Sequence, residues 1–233
     1  DKKRFTKRKK LLDGINTCDI EVKLLTEESF DVLMSSKLLD ALDLSKEDPK
    51  TLERYGTGQP YKYQYDGAAT NNQKLLIARR LVQAGARSIT LNYGRWDSHG
   101  DNFGLVRDHG PKLDQCVSAL VEDLDNHGIL DDVTVVVWGE FGRTPKINKD
   151  AGRDHWNTVS CALLAGGGFT HGQTIGETNK FGEVPIERPI HMQEICGMMY
   201  RGLGIDPDTT TIMDNTGRPQ YLLEHRELIK ELV

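Results

Sequence analysis

The sequence predicts an α/β protein in which a mostly parallel sheet is sandwiched between layers of helices. Two observations predict this fold. From residue 71 onward, segments with apolar residues at three- and four-residue spacing alternate with apolar runs of strand length. The apolar runs are continuous, which is typical of strands that are covered on both faces in a parallel sheet. Helices and buried strands in this order favour a sheet between two helical layers.

Three segments in this part of the chain have the pattern of amphipathic helices. We predict them at 71–84, 111–127 and 190–203. In the first, the apolar stripe consists of Leu75, Leu76, Ala78, Leu81 and Val82. A glycine follows each helix, as is common where a helix ends.

Three apolar runs between these helices predict strands, at 88–93, 133–138 and 159–165. Ligands of parallel sheets gather beyond the carboxyl ends of the strands. We therefore expect three loops to lie close together: 94–102, 139–144 and the turn before Val159.

The first 65 residues differ from the rest, because they show helical patterns at 7–25 and 29–44 and no strand that could begin a sheet. We interpret residues 1–65 as a helical segment that continues from a missing N-terminal part of the same protein. Residues 66–233 are then the C-terminal part of the α/β domain. The basic cluster at 2–10 is interpreted as a solvated helix face rather than a binding patch.

Composition excludes some classes of partner. The chain has 37% hydrophobic and 28% charged residues and a net charge of -5, which argues against general affinity for nucleic acid or anionic membranes. It contains no run of about 18 apolar residues, the length that a membrane-spanning helix needs. We expect neither a nucleic-acid partner nor a membrane span.

The loop at 94–102 contains a possible pair of metal ligands. Asp97 and His99 are two residues apart, so in an extended loop both side chains point the same way. A carboxylate and an imidazole together suit Zn²⁺ or a similar divalent ion. The alternative is a hydrogen-bonded turn without a metal.

The loop after the second predicted strand contains Glu140 and Arg143. A carboxylate beside a buried strand needs a partner, either a metal ion or the arginine. Arg143 could also bind an oxyanion through two parallel hydrogen bonds. The alternative is a buried Glu140–Arg143 ion pair that shapes the loop.

The third loop contains Asp154 and His155. His155 could bind a metal ion while Asp154 orients a neighbouring ligand. The alternative is an aspartate cap or turn with Trp156 packed beside it. His109 is a poorer candidate, as a further ligand or as a helix cap.

Five segments, taken together, resemble one protein family. They are LIARRLVQAG at 76–85, WDSHGDNF at 96–103, GEFGRTPKIN at 139–148, GRDHW at 152–156 and AGGG at 165–168. The chain resembles domain-of-unknown-function family fifteen-oh-one, a family of mostly exported bacterial proteins. That family is sulfatase-like and is placed in the alkaline-phosphatase-like superfamily. The resemblance runs from about residue 55 to about residue 207 and implies an alkaline-phosphatase-like fold.

The resemblance also implies roles for individual residues. Asp97, His99 and His155 match the positions of one metal site. Glu140 and Phe141 occupy the place where the superfamily has an Asp-His pair for a second metal, so one carboxylate ligand is retained and the other ligand is lost. The superfamily nucleophile lies near the N-terminal end of its fold, and this chain contains no matching segment.

From the residues and the resemblance together we expect a metal-dependent hydrolase of phosphate or sulfate esters, on small molecules or glycans. Asp97, His99, Glu140 and His155 would bind the divalent metal, zinc with manganese or iron as alternatives. Glu140 would be a second-metal ligand or general base, and Arg143 would stabilise negative charge on the oxyanion. The competing hypothesis is a non-catalytic metal- or anion-binding envelope module. The resemblance alone implies a periplasmic or otherwise exported location.

Overall fold

The computed structural model describes residues 2–15, 36–57 and 69–233. In these ranges the chain forms six α-helices, two short 3₁₀ turns and eight short strands. The helices are α1 (Lys2–Ile15), α2 (Ser36–Leu42), α3 (Pro49–Tyr55), α4 (Gln73–Gln83), α5 (Asn102–Asn126) and α6 (Met192–Gly202). The strands are β1 (Val135–Trp138), β2 (Gly142–Arg143), β3 (His155–Trp156), β4 (Ala162–Ala165), β5 (Glu177–Thr178), β6 (Pro185–Glu187), β7 (Thr211–Met213) and β8 (Pro219–Tyr221).

The helices predicted at 71–84 and 190–203 are confirmed as α4 and α6, each shorter by one or two residues at either end. The helix predicted at 111–127 is α5, but it begins much earlier, at Asn102. Its first turn is capped by Asp101, whose carboxylate accepts a hydrogen bond from the backbone N–H of Gly104. Pro111, the predicted first residue of this helix, therefore lies inside it.

The larger hydrophobic core lies where α4 and α5 pack together, with α2 and α3 against them. Its buried members are Tyr55, Leu75, Leu76, Cys116, Ala119, Leu120 and Leu124. A smaller core surrounds α6, whose N-terminus is closed by reciprocal hydrogen bonds between His191 and Glu194.

A buried ionic network joins α3 and α4 to α5. The Asp123 carboxylate accepts a 2.5 Å hydrogen bond from Arg54 and one from the Tyr55 hydroxyl, and Arg79 Nε lies 2.9 Å from it. Burial, and then the charge of Asp123, raise the pKa of Tyr55, so this hydroxyl stays protonated and acts as a donor. Arg79 also bonds Glu47, which extends the network beyond α3.

The strands pair in four separate two-stranded antiparallel sheets, which are β1 with β4, β2 with β3, β5 with β6 and β7 with β8. The prediction of a mostly parallel sheet sandwiched by helices is therefore wrong. The strand predicted at 133–138 exists as β1, but its residues are only half-buried and Trp138 is exposed. The strand predicted at 159–165 is shortened to β4, and 88–93 forms no β-ladder with any described segment.

The connection between β1 and β4 explains why they are antiparallel. Parallel strands need a crossover, usually a helix, that carries the chain back to the starting edge. Residues 139–161, all of them described, contain only β2, β3 and loops between β1 and β4. The chain therefore returns antiparallel, with Val135 opposite Ala165 and Trp138 opposite Ala162. A continuous apolar run predicts a strand but does not determine the direction of its partner.

Two sequence interpretations fall partly outside the described residues. The helices predicted at 7–25 and 29–44 overlap α1 and α2, and residues 16–35 between them are not described. Among the helices that the structure describes, none combines the length and the apolarity required to cross a membrane.

Candidate metal centre

Two antiparallel pairings bring the three polar loops together. In the first, β2 pairs with β3, which sets Arg143 opposite His155. Gly142 allows the approach, because a Cβ atom there would lie 1.8 Å from the carbonyl oxygen of Val159. The loops at 139–144 and 152–157 are thus fixed to one another.

The second pairing joins the first loop to the third. Gly100 forms a β-bridge with Ala151, and the N–H of Arg153 donates a 2.8 Å hydrogen bond to the carbonyl of Ser98. The Ser98 hydroxyl is buried and hydrogen-bonds Asn102, so it points away from its neighbours Asp97 and His99. The expectation that the three loops meet is confirmed, although antiparallel pairing rather than a parallel sheet brings them together.

Asp97, His99 and His155 form a compact cluster that could hold a metal ion. Asp97 Oδ1 lies 2.9 Å from His99 Nε2 and 3.1 Å from His155 Nε2. The two Nε2 atoms are 3.2 Å apart. One carboxylate oxygen and two imidazole nitrogens therefore occupy the corners of a nearly equilateral triangle.

The size of this triangle fits a small divalent ion. A tetrahedral zinc ion with bonds of about 2.0–2.1 Å holds its ligand atoms about 3.3 Å apart. The side chains of Asp97, His99 and His155 are 40%, 45% and 53% exposed, respectively, which leaves one side of the triangle open to solvent. Three protein ligands and an open position are the arrangement found in catalytic rather than structural zinc sites.

Asp154 orients His99, as the sequence predicted for a neighbouring ligand. Asp154 Oδ1 lies 2.8 Å from His99 Nδ1, on the opposite side of the ring from the cluster. The hydrogen bond from His99 lowers the pKa of Asp154, with a further contribution from Asn148, so this carboxylate stays ionised. An acceptor at Nδ1 favours the tautomer that carries its proton there and leaves the Nε2 lone pair available to a metal ion.

Arg143 contacts the same oxygen atom as the two histidines. Its Nη1 atom donates a 2.5 Å hydrogen bond to Asp97 Oδ1. Partial burial raises the pKa of Asp97, but the hydrogen bonds from Arg143 and His155 outweigh burial, and the pKa is lowered from its ordinary value. Asp97 is therefore ionised, and a metal ion at Oδ1 would compete with the guanidinium group.

Glu140 lies beside this cluster rather than in it. Its carboxylate is exposed and 3.9 Å from Arg143 Nη2, so the alternative of a buried Glu140–Arg143 ion pair does not describe it. It is not among the described residues whose ligand atoms converge on one point. Phe141 instead packs against the site, with its ring 4.4 Å from the ring of His155. The metal-ligand role of Glu140 stays a prediction.

His109 is a buried residue of α5, and it packs against the loop at 94–102. Its ring makes an edge-on contact with Trp96, with centroids 5.3 Å apart, and its Nδ1 lies 3.0 Å from Asp108. Burial lowers the pKa of His109, which favours the neutral ring. It is neither a cap of α5 nor a member of the cluster that could hold a metal.

Sequence reasoning missed two residues that shape the site. Asn148 donates hydrogen bonds to the carbonyl of His99 and to Asp154. Gly152 is buried against His99, where a Cβ atom would lie 2.0 Å from the carbonyl carbon. The only signal for either was its place within the GEFGRTPKIN and GRDHW segments.

In the described residues, the fold and the site together define a protein of helices and short antiparallel sheets with a candidate metal centre built from paired loops. A family model described as "Protein of unknown function (DUF1501)" matches residues 16–233, and the chain belongs to this family. The family named from the sequence segments is therefore confirmed. No curated protein and no solved structure matches the chain.

Proposed function

We propose that the protein is a metal-dependent hydrolase of phosphate or sulfate esters, with one divalent ion bound by Asp97, His99 and His155. The observation that carries the proposal is the triangle of three ligand atoms with edges of 2.9, 3.1 and 3.2 Å. Its open side gives a substrate access to the remaining coordination position. Resemblance to the alkaline-phosphatase-like superfamily supports the same reaction class, and that superfamily assignment and an exported location stay predictions.

We propose zinc as the ion, with manganese and iron as the alternatives to be tested. Imidazole nitrogens suit zinc and iron, and a carboxylate suits all three metals. The tetrahedral ligand spacing favours zinc, because manganese commonly takes more oxygen ligands. A bound divalent ion supplies Lewis acidity toward an ester oxygen or a water molecule.

The positive charge around Asp97 favours an anionic substrate. Arg143 bonds Oδ1 of Asp97, and Arg95 Nη2 lies 3.8 Å from Oδ2. With a divalent ion bound, a dication and two guanidinium groups would surround the Asp97 carboxylate, and the nearby carboxylates of Asp154 and Glu140 would offset part of that positive charge. This surplus of positive charge is complementary to a phosphate or sulfate group.

Arg143 and Glu140 have distinct roles in this proposal. The Arg143 guanidinium donates hydrogen bonds to the oxyanion and stabilises the charge that grows on it as the ester bond breaks. Glu140 is 64% exposed and accepts a proton from the attacking water. Asp154 holds His99 in the ligating tautomer and does not touch the substrate.

Phe141 favours a second candidate, a non-catalytic metal- or anion-binding module. Its ring packs 4.4 Å from His155. By the resemblance, this position carries a ligand of a second metal in the superfamily. Without that second ion, the site could bind an oxyanion and fail to turn it over.

Turnover of aryl phosphate and aryl sulfate separates the two candidates. The protein is stripped of metal, reconstituted with zinc, manganese or ferrous iron, and assayed beside His155→Ala and His171→Ala, an exposed histidine outside the cluster. The hydrolase proposal predicts turnover in wild type and His171→Ala and none above background in His155→Ala. Metal-dependent binding of inorganic phosphate or sulfate without turnover would instead support the non-catalytic module.

A further inference from the structure

We infer that Asn148 is a positioning residue of the metal centre, which holds His99 and Asp154 in the arrangement that presents the Nε2 atom of His99. The inference rests on the proposed function, because it requires that this atom binds a metal ion. The Asn148 amide hydrogen-bonds His99, Asp154, Asp150 and Gly152, so neither Asp97 nor His155 is among these partners.

The Asn148 amide makes four hydrogen bonds. Its Nδ2 donates to the carbonyl of His99 at 3.0 Å and to Asp154 Oδ1 at 3.1 Å. Its Oδ1 accepts from the backbone N–H groups of Asp150 at 3.0 Å and Gly152 at 2.9 Å. Both neighbours of Oδ1 are donors and both neighbours of Nδ2 are acceptors, so the orientation of the amide is determined.

The donor half of the amide acts on the ligand. It fixes the peptide of His99 and, independently, the carboxylate that accepts from the His99 ring. Both ends of the His99 side chain are therefore restrained by one residue. Partners that orient a ligand in this way contribute about 10–100-fold to metal affinity.

The acceptor half of the amide holds the loop. Ala151 has a φ of 56°, in the left-handed region, which costs about 1 kcal/mol or more for a residue with a Cβ atom. The two N–H groups that Oδ1 accepts belong to the residues on either side of Ala151. Loop stability and ligand orientation thus depend on different atoms of Asn148, and a substitution can separate them.

Asn148→Asp makes this separation. An aspartate keeps an oxygen to accept from Asp150 and Gly152 but has no N–H to donate, and it faces Asp154 with a like charge. We expect metal affinity to fall about 10–100-fold, even though an added negative charge attracts a cation. Asn179→Asp is the matched control, since Asn179 makes the same kinds of bond in the β5–β6 hairpin, accepting from the N–H of Glu183 and donating to its carboxylate.

Three measurements on the full chain test the inference: Co²⁺ and Zn²⁺ affinity by calorimetry, the tautomer of His99 by ¹⁵N NMR, and the thermal midpoint of the metal-free protein. The inference is supported if Asn148→Asp binds metal more weakly and loses the Nδ1–H tautomer of His99, while Asn179→Asp keeps the wild-type values. If Asn148→Asp does not fold, Asn148→Ser, whose hydroxyl oxygen can still accept from the loop, is measured the same way.

The outcomes separate this inference from the proposed function. Wild-type metal affinity retained in a folded Asn148 variant overturns the positioning role and leaves the metal centre intact. Affinity lost only in proportion to a lowered thermal midpoint, with the tautomer unchanged, also overturns it, because Asn148 would then only stabilise the loop. Absence of metal binding in the wild type overturns the proposed function and the inference together.

Discussion

The Nε2 atoms of His99 and His155 lie 3.2 Å apart, although 56 residues separate them in the sequence. Asp97 Oδ1 lies within 3.1 Å of both. Two imidazole nitrogens at this distance either share a proton or share a metal ion. The hydrogen bond between His99 Nδ1 and Asp154 keeps the proton of His99 on the other side of its ring, so the Nε2 atom of His99 presents a lone pair that can bind a metal ion or accept the proton of His155.

Arg143→Gln is predicted to increase metal affinity. The Arg143 guanidinium occupies the oxygen of Asp97 that a metal ion would bind, and its charge also repels a cation. Removing it frees the oxygen, so we expect metal affinity to rise by about tenfold, a change of about 1.4 kcal/mol. Calorimetric titration of the metal-free protein with Zn²⁺ measures this change.

The control for this prediction is Lys149→Gln, which removes the same charge from an exposed position in the connection between β2 and β3. We expect little change in its zinc affinity. In the same variants, affinity of the zinc-loaded protein for inorganic phosphate should fall only in Arg143→Gln. A drop in zinc affinity in Arg143→Gln would show that the arginine supports Asp97 rather than competing for it.

Much of the site could be predicted from the sequence. The spacing of Asp97 and His99 places two candidate ligands on one side of an extended loop, and this follows from strand geometry alone. That the loop of His155 lies near them was expected from the strand pattern, although the parallel sheet behind that expectation is wrong. The resemblance was needed to assign His155 to the same candidate site as Asp97 and His99. Asn148 could not be found, since its role depends on pairing between residues 98–102 and 150–153 that leaves no local pattern.

Gly152→Ala is predicted to disrupt the site. A Cβ atom at this position would lie 2.0 Å from both the carbonyl carbon and oxygen of His99, so the ligand loop must shift. We expect loss of metal binding and destabilisation of about 2 kcal/mol, from overpacking against backbone. Metal content and chemical denaturation measure the two effects.

Gly110→Ala is the matched control, because its Cβ atom would meet nothing within 4 Å and the residue lies in α5. Alanine favours a helix over glycine, so this variant should be as stable as the wild type or more stable by about 0.5–1 kcal/mol. Equal metal content in the two variants would contradict the tight approach of Gly152 to His99.

Asp123→Ala is predicted to be the most destabilising change to the helical part of the protein. It leaves the buried Arg79 with Glu47 as its remaining carboxylate partner among the described residues, and it removes the acceptor of Arg54 and Tyr55. Breaking a buried ion pair by removing one partner costs about 3–5 kcal/mol. The free energy of unfolding in urea measures the loss.

Asp125→Ala, at an exposed position on the same helix, should change stability by less than about 0.5 kcal/mol. If the two variants unfold at the same urea concentration, the network around Asp123 does not stabilise the fold. Metal content is expected to be unchanged in both, because neither residue belongs to the metal cluster.

The fold was less predictable than the site. The helices follow from apolar spacing, and α4 and α6 were predicted within two residues at each end. The direction of strand pairing does not follow from such spacing, because an apolar run such as Val135–Trp138 fits a parallel or an antiparallel partner equally well. The segment 88–93 shows a related limit. Its apolar pattern predicts a strand, but a strand forms only where a second segment pairs with it, and the pattern does not show whether such a partner exists.

Metal content of the purified protein tests the central claim most directly. Wild type, Asp97→Ala, His155→Ala and the exposed control His171→Ala are each reconstituted with zinc, passed through a desalting column and measured by mass spectrometry. The account predicts close to one metal ion per chain in wild type and His171→Ala, and loss of that ion in both Asp97→Ala and His155→Ala. Zinc absent from the wild type after reconstitution, or retained in both cluster variants, would contradict a metal centre at these three residues.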